Sequence, residues 1–317
     1  MSDEVKEEVS KTKKKPGRPR KTPARDPPPR DGVSDGPQSP KNFIEFAYSE
    51  PIVLKRLWHH FKHLAVEKLH VIFRPDSIVM WGWDHLKKSR IRVKIDAHKV
   101  NHYFLGGDEV DVGIECKDME LLMQKINKTY EEVVILSKRG RTQETLSVTL
   151  KTEIKIDEVH SIRLAGAYDR MNNEKMFLDE DYTIKIEFPG GYFKKMITNM
   201  MKLTTKVTIK QNAPGKELIF AYDASNRRMS SRNIVRNAAN LEFQSKLAEG
   251  DVFRVSFRVA YVKPIAAAVS SGTVTLCAHE DKPLLFIIKM DDGTVEMRIL
   301  TDIIDNRPKE ECDEGDQ

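Results

Sequence analysis

One pattern constrains this chain more than any other: a strand leading into an amphipathic helix that feeds further strands, repeated four times. The helical segments are PIVLKRLWHHFKHL (51–64), KDMELLMQKINKTY (117–130), GGYFKKMITNMMKL (190–203) and AYVKPIAAAVSS (260–271). Their starts lie about 70 residues apart, a spacing that marks an internal repeat. In the first, Leu54, Leu57, Trp58, Phe61 and Leu64 recur at helical spacing; in the third, Phe193, Met196, Ile197, Met200 and Leu203 do the same. Between the helices lie runs of period two: EKLHVIFR (67–74), EEVVILSK (131–138), KVTIKQ (206–211) and TVTLCA (273–278). Asp291-Asp292-Gly293, set between LLFIIKM and TVEMRIL, predicts a hairpin turn. Four helices and about sixteen to eighteen strands predict an α+β protein whose large antiparallel sheets carry their helices on one face.

A helix that buries one stripe leaves its polar face available. From Pro51 to Val66, and again from Phe188 to Lys216, there is no acid. The first helix offers Lys55, Arg56, His59, His60, Lys62 and His63; the third offers Lys194, Lys195 and Lys202, with Lys206 following. The second is mixed, with Lys125 and Lys128 beside Asp118 and Glu120. One charged helix face is ordinarily just a solvated face. Two acid-free basic faces in a repeat, gathered on one side of the sheets, predict a continuous positive surface suited to a phosphate backbone.

The ends differ from the body. The chain has 317 residues and a formal net charge of +5. Residues 1–41 are rich in Lys, Pro, Ser and charge with almost no large apolar side chains, so they read as a disordered basic arm. Within it KKKPGRPRK (13–21) contains Lys15 and then Gly17-Arg18-Pro19-Arg20-Lys21, which resembles an AT-hook. Gly17 lets the backbone lie deep, Pro19 holds the chain extended, and Arg18 and Arg20 can follow a narrow A·T-rich minor groove. The plainer reading is a polybasic arm or a nuclear-import tag. Residues 306–317 form an acidic tail. No stretch approaches the roughly 18 apolar residues of a membrane span, and the N-terminus is not signal-like. Cys116, Cys277 and Cys312 are few and scattered, which predicts an intracellular chain with no disulfide framework and no membrane partner.

Catalytic patterns are missing from the sequence. His59-His60-x-x-His63 has no third ligand nearby, so no metal is expected there. Asp108, Glu109 and Asp111, and Asp179-Glu180-Asp181, read as solvated turns, and NAPGKEL (212–218) lacks the spacing of a phosphate-cradling loop. No Ser-His-Asp, Cys-His or HExxH arrangement is present. The expectation is a protein that is not an enzyme, with no catalytic residue and no cofactor.

Taken in order, VLKRLWHHFKHL, DVGIECKDMELLMQKI, YTIKIEFPGGYFKKMITNMMKLTTKVTI and FRVSFRVAYVKPIAAAVSSGTVTLCAHEDKPLLFIIKM resemble the sliding-clamp family of DNA polymerase processivity factors, the PCNA type. A Gly-Arg-Pro arm, VNHY at Val100–Tyr103 and AYVKPIAAAV resemble features of the PCNA-like proteins of asfarviruses and related large DNA viruses. The resemblance implies a DNA-clamp fold of two similar domains, 42–162 and 182–305, each with antiparallel sheets outside and two helices inside, joined by a connecting loop at 163–181. It implies a homotrimeric ring around double-stranded DNA, placed there by a clamp loader and serving polymerase and other replication and repair proteins. Matched residue by residue, the DNA-facing cations would be Lys55, Arg56, Lys62, Lys125, Lys128, Lys194, Lys195 and Lys202. The fourth helix keeps only Lys263, and Thr198 replaces a basic position of the third. Trp83, Met176, Phe177, Leu178, Pro283 and Leu300 match the walls of the family's partner-peptide groove, here with Lys87, Lys88 and Arg90 beside it; the plainer reading is that the apolar trio Met176, Phe177 and Leu178 only pins the linker to the sheet. Subunits would join through 153–164 of one copy and a strand within 228–243 of the next. Such a protein would work in a host nucleus or at a cytoplasmic viral replication site. The alternatives are an AT-hook architectural or transcription-regulatory protein with an unrelated β-rich body, and a monomeric processivity factor.

Overall fold

The computed structural model describes residues 42–138, 145–165, 174–211, 217–223, 230–236, 241, 243–269, 272–290 and 293–304. These all fall in the unit Pro40–Gln317. The AT-hook-like motif and the acidic tail lie outside the described residues.

The chain runs twice through the same order of elements. The first pass is β1 (Asn42–Tyr48), α1 (Pro51–His63), β2 (Val66–Phe73), β3 (Ser77–Asp84), β4 (Ser89–Asp96), β5 (His102–Leu105), β6 (Val110–Glu115), α2 (Cys116–Gln124), β7 (Tyr130–Lys138), β8 (Thr145–Thr152) and β9 (Glu158–Arg163). The second is β10 (Ile184–Pro189), α3 (Gly190–Leu203), β11 (Lys206–Gln211), β12 (Leu218–Asp223), β13 (Ser230–Val235), β14 (Phe243–Ser245), β15 (Phe253–Arg258), α4 (Val259–Ala268), β16 (Thr273–His279), β17 (Lys282–Met290) and β18 (Val295–Thr301), with a short β19 (Ile303–Ile304) closing it. Among the described residues a mostly antiparallel α+β architecture with four α-helices results.

Three sheets form. One has the order β5-β1-β7-β8-β9, another β13-β12-β11-β15-β19, and the largest β14-β10-β16-β17-β18-β4-β3-β2-β6. The nine-stranded sheet joins the two passes where β18 pairs antiparallel with β4, from Val295 opposite Ile95 to Thr301 opposite Ser89. The helices pack in a row, with α1 beside α2 and α4, and α3 beside α4. Beneath them lies the main core, which takes Leu54, Leu57, Trp58 and Phe61 from α1 and Phe193, Met196, Ile197 and Met200 from α3. Each such fully buried side chain contributes about 1.5–3 kcal/mol. The opposite face of the large sheet holds a second apolar cluster, in which alternate residues such as Val79 and Trp81 point away from the helices.

Three sequence expectations need correction. The sequence pattern carries the second helix to residue 130, but the helix ends at Gln124. Asn127 Oδ1 accepts from the Thr129 amide at 2.8 Å and its hydroxyl at 2.6 Å, a local turn that competes with the helix. The fourth helix covers Val259–Ala268 rather than 260–271; β-branched Val269 leaves helical geometry, and Gly272 follows at φ +82°. The charge pattern puts His60 on the exposed face of the first helix, yet it is only 6% exposed. Standing one turn from Leu57 and Leu64, it joins the edge of the buried stripe.

Candidate nucleic-acid interface

Pro51 starts α1, where its missing N–H costs no helical bond. The buried stripe then turns Arg56, His59, Lys62 and His63 outward. On α3 the same logic exposes Lys194, Lys195 and Lys202, while Thr198 folds its hydroxyl back to the Lys194 carbonyl at 2.7 Å. Lys263 is exposed on α4, and Lys206 is exposed at the start of β11. Lys125 caps α2 and Lys128 sits in the turn that follows, so both lie beyond the helix to which the sequence pattern assigns them.

These cations are not equivalent. The half-buried Lys55 donates to the carbonyls of Gln124 at 3.1 Å and Ile126 at 2.5 Å, tying α1 to the end of α2. Lys62 pairs with Glu120, and Lys125 reaches Glu158 at 3.4 Å. Among the described residues no carboxylate pairs with Arg56, Lys128, Lys194, Lys195, Lys202 or Lys263. Those six ammonium and guanidinium groups are therefore available to an anionic partner.

The six residues assigned to a partner-peptide groove cluster on the opposite face. Phe177, 2% exposed, packs edge-on to Trp81 with ring centroids 5.4 Å apart. Leu300 lies buried in the same cluster, and Met176 packs against it half-buried. Trp83 is partly exposed beneath the Arg90 guanidinium, 4.7 Å from its ring centre, and Arg90 also donates to the Met176 sulfur at 3.1 Å. Leu178 remains exposed, and the Pro283 carbonyl accepts from Tyr182 Oη at 2.9 Å. Sequence reasoning missed Tyr182 and Arg298 as parts of this arrangement, and its reading of Asp179 as part of a solvated turn needs correction, because the carboxylate is held by two cations. Arg298 donates to the Phe177 carbonyl at 2.6 Å and to Asp179 at 3.3 Å, and Lys185 also pairs with Asp179. Burial works against the Asp179 carboxylate, but the hydrogen bond and charge of Lys185, with Arg298, hold it below the usual range. Nothing in a one-dimensional pattern links Arg298 to Phe177, because they are 121 positions apart.

Among the described residues no group of three or more His, Cys, Asp or Glu could hold a metal ion. Cys116 and Cys277 are free and buried. No helix of the described residues is long and apolar enough to cross a membrane.

No protein-family model matches the chain. An uncharacterized protein of African swine fever virus is 23% identical over 268 residues, covering 83% of this chain and 88% of its own length, and the match recurs across several isolates. Proliferating cell nuclear antigen of Chaetomium thermophilum is 24% identical over 152 residues, covering 44% of this chain and 58% of its own length. Over that part of its length the chain is similar to this antigen.

Proposed function

We propose that this protein is a DNA sliding clamp, a ring that encircles duplex DNA and tethers polymerase and other replication and repair enzymes to it. The observation that carries the reading is the junction inside the nine-stranded sheet. Matching the two passes element by element makes β18 the counterpart of β9, and β4 the counterpart of β13. Within the chain β18 and β4 pair with each other; among the described residues β9 and β13 lie at sheet edges. The same pairing, made between β9 of one copy and β13 of the next, continues the sheet head to tail and carries the row of helices onward. Unpaired edges are a liability unless covered. Next to this edge Ile154 is 74% exposed and Ile156 61%, and Val159 within it is 67% exposed, as expected of a surface that a neighbour covers.

Three copies complete such a ring in the family that the sequence resembles. The helix cations that no described carboxylate pairs then face the duplex and hold it by its phosphates without reading bases, which lets the ring slide. The reading needs no catalytic step and no cofactor, and leaves opening of the ring to a separate loader. The groove around Phe177 and Trp83 serves partner peptides, and the basic arm adds a second, flexible hold that raises the local concentration of DNA. The place of action is a nucleus or a cytoplasmic viral replication site.

Retention on DNA tests the proposal. Loaded protein should stay on closed circular duplex and be lost when the circle is cut, while deletion of residues 1–40 weakens binding to linear duplex but spares retention on circles. Equal retention on cut and closed circles overturns the clamp reading and favours an architectural DNA-binding protein.

A further inference from the structure

A cleft of about 740 Å³ opens between α1, the turn after α2, the helices α3 and α4, and strand β17. Among the described residues its charged lining comes from Arg56, His59 and His63 of α1, Lys128 of the turn, Lys194 of α3 and Lys289 of β17, and none of them brings a carboxylate to it. Lys55 also borders it but is committed to the end of α2, and α4 contributes only apolar groups such as Ala267. Buried His60 lies along the same wall, and its Nδ1 has no hydrogen-bond partner among the described residues.

His59 and His63 stand one turn apart with their Nε2 atoms 2.9 Å from each other and their rings nearly perpendicular. In that contact one imidazole donates an N–H and the other accepts through a lone pair. Burial, and then the charges of His59, Lys194 and Lys62, hold His63 below the ordinary imidazole range, so its ring stays uncharged near neutral pH. A metal cation would meet four fixed positive charges here. A carboxylate would leave most of them unmatched. An anion with several oxygens and more than one charge meets the lining from three sides.

We propose that this cleft is a proton-linked phosphate-binding site, in which a bound phosphate group turns both imidazoles into N–H donors and draws one proton from solvent. The His59–His63 bond breaks, the accepting nitrogen gains that proton, and each ring donates to a phosphate oxygen while Arg56, Lys128, Lys194 and Lys289 neutralise the remaining charge. The phosphate comes either from a DNA backbone or from a free polyphosphate. The site lies on the helical face of the clamp reading but needs no ring to form.

Isothermal titration of the full chain with pyrophosphate, in two buffers of different ionisation enthalpy, tests this. The expected result is binding with uptake of about one proton, tightening by up to about tenfold per pH unit as pH falls from 7.5 to 6. The double variant His59→Gln, His63→Gln should lose that pH dependence while keeping its circular-dichroism spectrum. Pyrophosphate's own titration is common to both proteins, so their difference isolates the imidazoles. The variant Lys194→Gln should weaken binding several-fold at every pH. Absence of binding heat at all pH values, or proton uptake unchanged in the double variant, overturns the proposal. Competition with a short duplex identifies the source: displacement by pyrophosphate means a backbone phosphate, and simultaneous binding means a free polyphosphate. Loss of retention on circles would leave this result standing, and absence of pyrophosphate heat would leave the clamp reading standing.

Discussion

Phe177 shows how much one side chain in the connecting segment can hold. It fills a space between Trp81 and Leu300 on the face of the large sheet away from the helices, and Arg298 clamps its carbonyl. Phe177→Ala should cost about 3 kcal/mol in a denaturant titration and change Trp81 fluorescence. Asp179 anchors the same segment with a carboxylate held below its unfolded value, so its stabilisation is complete above about pH 4 and is lost as pH falls through the folded value. Asp179→Asn should therefore flatten the acid limb of stability. His60 acts over a different window. Burial first, then His59, His63 and Arg56, push it down to about 4, so the unfolded chain binds a proton that the folded one does not. Stability should fall as pH drops from about 6.5 to 4, and His60→Leu should make that slope shallower in thermal melts. The sequence showed Phe177 as part of an apolar trio and His60 as part of a basic face. It could not show which ring is buried, since the decisive neighbours come from distant strands.

At the scale of elements, the four helices were legible because their apolar residues recur every three to four positions. Their ends were less so. Asn127 stops α2 by a local hydrogen bond that apolar periodicity does not register, and Pro264 inside α4 did not prevent that helix from forming. The cations differ by element as well. On α3, Lys194, Lys195 and Lys202 are unpaired among the described residues; Lys62 of α1 and Lys125, just past the end of α2, are shared with Glu120 and Glu158. Neutralising the three α3 lysines should lower the slope of log affinity against log salt by about 0.9 for each phosphate that no longer meets a cation, read by fluorescence anisotropy on a duplex. Lys62→Gln should have a smaller effect, because its charge is already partly met.

At the scale of the whole molecule, the proposal turns on whether β9 meets β13 of another copy. Light scattering on a sizing column should give three chains of 36.4 kDa, about 110 kDa in all. Val159→Lys places a charge in the exposed edge strand and should shift the protein to a single chain, with its circular dichroism unchanged. A monomer in the unaltered protein would remove the ring and leave a monomeric processivity factor as the reading to test. The repeat, the α+β class and the basic faces were determined by the sequence itself, because periodicity and charge are local properties that each segment carries alone. The pairing of β18 with β4, the burial of His60, the sharing of Lys55 by α1 and α2, and the closing of the cleft around His59 and His63 were decided only by tertiary structure. Each depends on segments far apart in the chain meeting at hydrogen-bond or van der Waals distance, and no spacing along one strand or helix encodes that meeting.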